Sequence, residues 1–254
     1  MSQLLIDVDA ASGVNRITLN RPERRNALNA ELLTELKEVL ALAEADDRVK
    51  VIAILGAGPD FCAGADLAEI QAAIEEGVMA SLADAHSLGE LFILMRRLGK
   101  PVVAVVHGRA LAGGCGLASA CDLVVAADDA EFGYPEVKLG FVPAMVMAIL
   151  RRAVGEKHAF ELAVGGDSIG AGRAHEIGLV NLVVPAAELP ERSGAYLDSL
   201  AMRSATAVAL TKRLLYATDG ASFESAIQVG AQANALARMT EDCQAGIKRF
   251  LDKA

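Results

Sequence analysis

The sequence predicts an α/β core followed by a C-terminal helical layer, and three observations carry that prediction. Strand-like and helical patterns alternate through about the first two thirds of the chain. Residues 101–106 form an apolar, β-branched run of the kind buried on both faces in a parallel sheet. After Val142 the patterns are mostly helical.

The elements follow in order. Residues 4–8 and 14–19 read as a hairpin about a turn at Ser12-Gly13, the second arm alternating Val14, Arg16 and Thr18 with Asn15, Ile17 and Leu19. Leu32, Leu33, Leu36, Val39, Leu40 and Ala43 then fall at helical spacing. Asn29 stands where an N-cap is wanted, and Glu31 favours the positive end of the helix dipole. A short strand at 49–55 ends in the breaker cluster Gly56-Ala57-Gly58-Pro59. Gly108 ends the buried strand, Gly113-Gly114-Cys115-Gly116 opens a small-residue helix reaching about Ala120, and 123–125 returns as a strand. Thr240 caps the last helix, with Glu241 and Asp242 in its first turn and Lys248, Arg249 and Lys253 towards its end. No linker, low-complexity tract or fixed-period repeat divides the chain.

Composition narrows the function classes. With 53% apolar and 22% charged residues, the 254-residue chain has ample material for a core, which excludes wholesale disorder. The net charge of −9, from 33 acidic against 24 basic residues, argues against a broad nucleic-acid or acidic-membrane surface. The longest strongly apolar stretch, 141–150, is too short to span a bilayer and contains Pro143. The N-terminus shows no basic region before an apolar run, so no secretory signal is expected. Cys62, Cys115, Cys121 and Cys243 lack metal-ligand spacing and are too few to staple a chain of this length. The expectation is a reduced, cytoplasmic protein without metal, membrane or nucleic-acid partner.

Three segments carry chemistry. Phe61-Cys62-Ala63-Gly64-Ala65-Asp66-Leu67 and Ala110-Leu111-Ala112-Gly113-Gly114-Cys115-Gly116 are small-residue turns that let another molecule approach backbone amides. The second opens a helix, whose first amides have no intrahelical partner. Neither turn matches a dinucleotide or phosphate-loop fingerprint, and no GxSxG elbow is present. Each could supply one N–H to an oxyanion hole, though spacing alone does not make them meet. In the third segment, Phe132 to Gly140, Pro135 fixes the geometry and Glu136 is an acid among mostly apolar neighbours. Burial would raise its carboxyl pKa and suit it to proton transfer, whereas pairing with Lys138 would make it an ordinary surface group.

In this order and spacing the segments resemble the crotonase, or enoyl-CoA hydratase/isomerase, family. The resemblance runs from Arg21-Pro22-Glu23-Arg24-Arg25-Asn26-Ala27-Leu28-Asn29 through Ala63-Gly64-Ala65-Asp66, Lys100-Pro101, Leu111-Ala112-Gly113-Gly114, Cys121-Asp122 and Pro135-Glu136 to Gly178-Leu179-Val180-Asn181. It implies a crotonase-like spiral of ββα units over residues 1–195 and a C-terminal helical trimerisation layer over 196–254. It also implies a homotrimer or a hexamer of two trimers, an acyl-CoA thioester as substrate, and no cofactor beyond the coenzyme A of that substrate. By the same resemblance the amides of Ala65 and Gly113 form the oxyanion hole and Glu136 is the catalytic acid/base. Arg25, Ala27, Ala63, Asp66 and Leu67 line the CoA cleft, and Leu111, Gly114, Gly116 and Pro135 complete the substrate-binding set.

The sequence departs from the family at two places. Typical hydratases carry a first catalytic glutamate where this chain has Gly116, and a glycine-rich segment where it has Ala144-Met145-Val146. Two enzymatic readings follow: a hydratase adding water to a 2-enoyl-CoA, of branched or glutaconyl type, or a Δ3,Δ2-enoyl-CoA isomerase with Glu136 as its single proton shuttle. A catalytically weak acyl-CoA binder is the reading from another class. Gly116→Glu is expected to restore an acid and raise hydration. His86 is the first candidate for a partner group, while Cys115 with His107 suggests a Cys–His hydrolase only if the thiol is activated rather than packed. Asp66 and Asp122 read as structural, and the Arg151-Arg152 pair as a solvated helix end. Lys248 and Phe250 either reach a neighbouring CoA site or pack as an ordinary amphipathic face. Met145, Val146, Met147, Phe92 and Leu94 are candidate acyl-pocket liners.

Overall fold

The computed structural model describes residues 2–252, so Lys253 lies outside the described residues. Its strands are β1 (Leu4–Asp9), β2 (Val14–Leu19), β3 (Val51–Gly56), β4 (Val102–Val106), β5 (Arg109–Leu111), β6 (Leu123–Ala127), β7 (Glu131–Gly133), β8 (Ile169–Gly170) and β9 (Leu182–Val184). The helices are α1 (Ala30–Ala45), α2 (Leu67–Glu76), α3 (Val78–Arg97), α4 (Gly113–Ala120), α5 (Ala144–Gly165), α6 (Ala171–Glu176), α7 (Leu189–Ala201), α8 (Ala205–Ala217), α9 (Phe223–Arg238) and α10 (Glu241–Leu251).

The main sheet runs β1-β2-β3-β4-β6-β9; β1 and β2 form the antiparallel hairpin and every other pairing is parallel. Parallel neighbours need crossover connections, and helices supply them. β4 is buried at every position, as its unbroken apolar run requires. A second layer holds β5-β7-β8 and is extended by single bridges between Leu28 and Ala65 and between Cys62 and Ala110. Each long strand from β2 to β6 therefore leads into a short second-layer stretch and then a helix. This is the repeated ββα spiral. The long strands β2, β3, β4 and β6 begin at residues 14, 51, 102 and 123, too irregular a spacing to show as a sequence period.

Local signals act where the sequence puts them. Asn29 Oδ1 accepts the Leu32 N–H at 2.9 Å and starts α1, whose buried stripe is Leu32, Leu33, Leu36, Leu40 and Ala43. The Thr240 hydroxyl likewise caps α10 through the Cys243 N–H. Besides the 141–150 stretch, which is too short to span, α3 is long and apolar enough by length and composition to cross a bilayer. Only part of its apolar surface is buried, and Met79 and Ile93 stay exposed. Leu88, Leu91, Phe92 and Met95 are buried in the core, and Val78, Leu82 and Ala85 line a cavity.

Residues 195 and 196 lie inside α7, which packs back onto β2, β3 and β6. The helices beyond it, α8 to α10, leave Phe223, Ile227, Leu236, Met239 and Phe250 exposed. A buried polar cluster ties α8 to the sheet. Asp122 accepts Lys212 Nζ at 2.6 Å, the Tyr216 hydroxyl at 2.7 Å and the Val102 N–H at 2.7 Å. Lys212 also donates to the Lys100 carbonyl at 2.9 Å, so every charge taken out of water there is partnered. Asp122 is structural.

Candidate active site

The two small-residue turns meet. Asn26, fully buried with φ +56°, accepts the Arg21 N–H on Oδ1 and donates through Nδ2 to the Ala57 and Asp60 carbonyls at 2.8 Å each. That lashes the loop before α1 to the segment leaving β3. Ala63 then donates to Arg25 O, Leu28 to Gly64 O and Asp66 to Leu28 O, which fixes the first turn while passing over the Ala65 amide. At the second turn Ala112 is held at φ +49°, ψ −126°, a conformation costly for a residue with a side chain. It leaves the Gly113 N–H at the start of α4. Among the backbone hydrogen bonds of the described residues, neither the Ala65 nor the Gly113 N–H donates. A Cβ built on Gly113 would lie 3.6 Å from Ala65 N, and one on Gly64 would lie 3.4 Å from Gly113 N. The two free amides are neighbours.

Glu136 enters on a short 3-10 turn, Pro135–Leu139, anchored by the preceding residue. Tyr134 is fully buried with its hydroxyl 2.9 Å from Ser119 Oγ, which itself donates to the Cys115 carbonyl at 2.7 Å. The acid is thereby tied to α4, the helix that presents the Gly113 amide. Glu136 is only 8% exposed, and its Oε2 is buried without a hydrogen-bond partner. Burial raises its carboxyl pKa above the ordinary 4.5. Lys138 pairs with Asp167 at 2.6 Å, so the surface-pair reading of Glu136 is excluded.

Both amides and the acid line one cavity of about 480 Å³. Ala63, Leu67 and Pro135 join Ala65, Gly113 and Glu136 in its wall, while α2 and α3 contribute apolar side chains and the α5 entrance contributes Phe141, Val142, Met145 and Val146. Other expected site residues stand elsewhere. Arg25 is exposed, with its Nε 3.8 Å from Asp60; Ala27 lies in the same loop and its carbonyl accepts from Arg21. Leu111 donates to Cys62 O in the second layer, and Asp66 pairs with Arg21 at 3.0 Å and caps α2. Gly114 packs flat on Cys62, whose carbonyl would lie 2.2 Å from an added Cβ. Of the candidate liners, Met145 and Val146 reach the cavity; Phe92, Leu94 and Met147 pack against the core instead.

Gly116 is also a packing position. A Cβ there would lie 2.2 Å from Val146 Cγ1 and 3.3 Å from Phe92 Cζ. The space an acid at 116 would enter is filled from α5, which corrects the expectation for Gly116→Glu. That substitution alone is expected to overpack this contact and cost roughly 1–3 kcal/mol of stability without raising hydration. Thermal melts alongside turnover check this; a stable variant with faster hydration would show that Val146 yields easily.

The remaining candidates resolve on contacts. Burial pushes the Cys115 thiol up to about 11, the reverse of an activated nucleophile, and His107 Nε2 is engaged 2.8 Å from the Gly58 carbonyl. His86 is exposed, and α3 turns Ser81, Asp84 and Ala85 towards the cavity instead. Arg152 holds Asp219 at 2.6 Å and Arg151 holds Glu156 at 3.1 Å. Another cleft of about 520 Å³, between α5 and α8, contains this Arg152–Asp219 pair and Arg96, but neither the free amides nor Glu136. Tyr134, Ser119 and the Val146–Gly116 contact were not visible as site features in the sequence; only the spatial meeting of α4 with distant segments brings them in.

An α/β spiral thus holds two undonated amides and one buried acid in a single apolar cleft. The profile of the enoyl-CoA hydratase/isomerase family matches residues 9–254, and the chain belongs to that family. A Thermus thermophilus protein provisionally named an enoyl-CoA hydratase is 43% identical, over 93% of this chain and 94% of its own. The 2,3-dehydroadipyl-CoA hydratase of Escherichia coli is 36% identical, over 100% of this chain and 97% of its own. The crystal structure of an enoyl-CoA hydratase from Mycobacterium smegmatis superposes with a TM-score of 0.95 at 34% identity, covering 100% of this chain and 97% of that one. The fold is the crotonase fold.

Proposed function

We propose that the protein is an enoyl-CoA hydratase that adds water across the double bond of a 2-enoyl-CoA with an apolar acyl group. The observation that carries this reading is the pair of undonated amides sharing one apolar cavity with a buried carboxylate whose Oε2 has no hydrogen-bond partner. The Ala65 and Gly113 N–H groups hold the thioester oxygen and stabilise the enolate that forms when C3 is attacked. Glu136 takes a proton from water as the hydroxyl adds to C3, then returns a proton to C2. Water is consumed, the double bond is lost and the carboxylate is regenerated. No lining residue is Lys, Arg or His, and Asp84 and Glu136 are both acidic. A carboxylate-tailed acyl group would meet repulsion there, so the glutaconyl-type substrate loses support against an apolar one. Arg25, Ala27, Ala63 and Leu67 remain the proposed CoA-side contacts. The exposed apolar residues of α8 to α10 support a homotrimer or hexamer.

The filled space beside Gly116 favours a second reading. With one acid, a Δ3,Δ2-isomerase needs only to carry a proton between C4 and C2, a task within reach of Glu136 alone. Incubating the purified protein with a 2-enoyl-CoA and with its 3-enoyl isomer, and identifying products by mass, separates the readings. A gain of one water on the 2-enoyl substrate supports the hydratase. Equal-mass conversion of the 3-enoyl substrate without hydration replaces it with the isomerase, and silence on both favours the binder. Because the base form is required, kcat/KM is expected to fall as pH drops through the Glu136 pKa, which burial raises above its ordinary 4.5.

A further inference from the structure

The inner wall of the cavity lies where α3, α4 and α5 come together, and two glycines at that meeting each face a side chain of α5. A Cβ on Gly89 would lie 3.8 Å from Met145 Cγ, in ordinary contact, whereas one on Gly116 would lie 2.2 Å from Val146 Cγ1. Val146 is 3% exposed and yet lines the cavity. One side of its isopropyl group therefore faces the open volume while the other fills the hollow left by Gly116, backed by Phe92. Met145 is unbranched and able to move aside for a ligand. Val146 is β-branched and stiff about χ1, so it yields less readily than Met145.

We propose that Val146 is the specificity-determining residue of the acyl pocket: seated in the hollow at Gly116, it closes the inner wall and restricts the site to short or compact apolar acyl groups. This rests on the acyl-CoA reading above and adds to it which residue sets the acyl size. Trimming Val146 opens the hollow to longer chains. Adding a methyl group at Gly116 pushes Val146 into the cavity. Trimming Val146 to Ala while adding a methyl at Gly116 moves bulk across the contact, with a net loss of one carbon and so a smaller volume change than trimming Val146 alone.

The test uses butyryl-, isovaleryl-, hexanoyl- and octanoyl-CoA, saturated thioesters that bind without turning over, with dissociation constants measured by calorimetry. Val146→Ala is expected to improve octanoyl-CoA relative to butyryl-CoA by roughly tenfold, on the scale of a methylene or two in an apolar pocket. Val146→Leu should shift selectivity the other way, which keeps the proposal testable if the alanine variant folds poorly. Gly116→Ala should weaken the longer chains, and adding Val146→Ala to it should return the ratios towards those of the unaltered protein. Unchanged ratios across the four ligands in Val146→Ala and Val146→Leu would overturn the assignment while leaving the acyl-CoA reading standing. An unaltered protein that binds none of the four would overturn that reading, and the assignment with it.

Discussion

Glu136→Gln is expected to lower kcat by roughly 10²–10⁴-fold, the usual contribution of a positioned acid/base, with the fold intact. The substitution keeps the shape and removes the titratable group. Its effect on stability has a definite sign. Burial raises the folded-state pKa of Glu136 above its ordinary 4.5, so the folded protein holds this proton more tightly than the unfolded chain. Stability therefore falls as pH rises from about 4.5 to the raised value, because ionising a carboxyl whose burial outweighs its hydrogen bonding opposes folding. Glutamine carries no such penalty. The variant should melt at an equal or higher temperature than the unaltered protein at neutral pH, and the difference should shrink below the ordinary glutamate pKa. Calorimetric melts at acid and neutral pH, beside steady-state turnover, check both halves. Undiminished turnover would remove Glu136 from the chemistry. A lower melting temperature at neutral pH would mean that its carboxylate is partnered and stabilising.

Parts of this arrangement are legible in sequence because their causes are local. The β4 strand is readable because every residue from Val102 to Val106 is apolar, and the start of α1 because Asn29 caps it within three residues. Glu136 stands out because an acid between Pro135 and Val137 has few polar neighbours in sequence, and its burial follows from Tyr134 anchoring the turn. The undonated amides are less legible. The Ala112 conformation at φ +49° comes from the second-layer hydrogen bond to Gly133 and the start of α4, not from alanine's own preference. The role of Gly116 is hidden for a similar reason: an isolated glycine gives no sign of whether it admits a ligand or a neighbouring helix, and here Val146 decides it from α5. The apolarity of α3 misleads in isolation because a helix that lines an apolar cavity on one side and packs a core on the other has the composition of a membrane span. In each case the missing information is the identity of the packing partner.

The amide pair yields the other large expected effect. Gly113 is the first residue of α4, a position where proline's missing N–H breaks no intrahelical bond. A Cβ there meets nothing closer than 3.6 Å, so a side chain fits. Gly113→Pro is expected to reduce kcat by roughly 10²–10³-fold, the cost of losing one oxyanion donor. Gly113→Ala adds the Cβ and keeps the N–H, and should retain most of the activity. That contrast separates the donor from the space around it. Affinity for a saturated acyl-CoA should change far less than kcat in the proline variant, because the developing enolate oxygen needs the donor more than the ground-state carbonyl does. Equal losses in both variants would assign the effect to crowding at the turn. Full activity in the proline variant, with the melt unchanged, would mean that the Ala65 amide holds the oxygen alone and that the strain at Ala112 serves packing rather than catalysis.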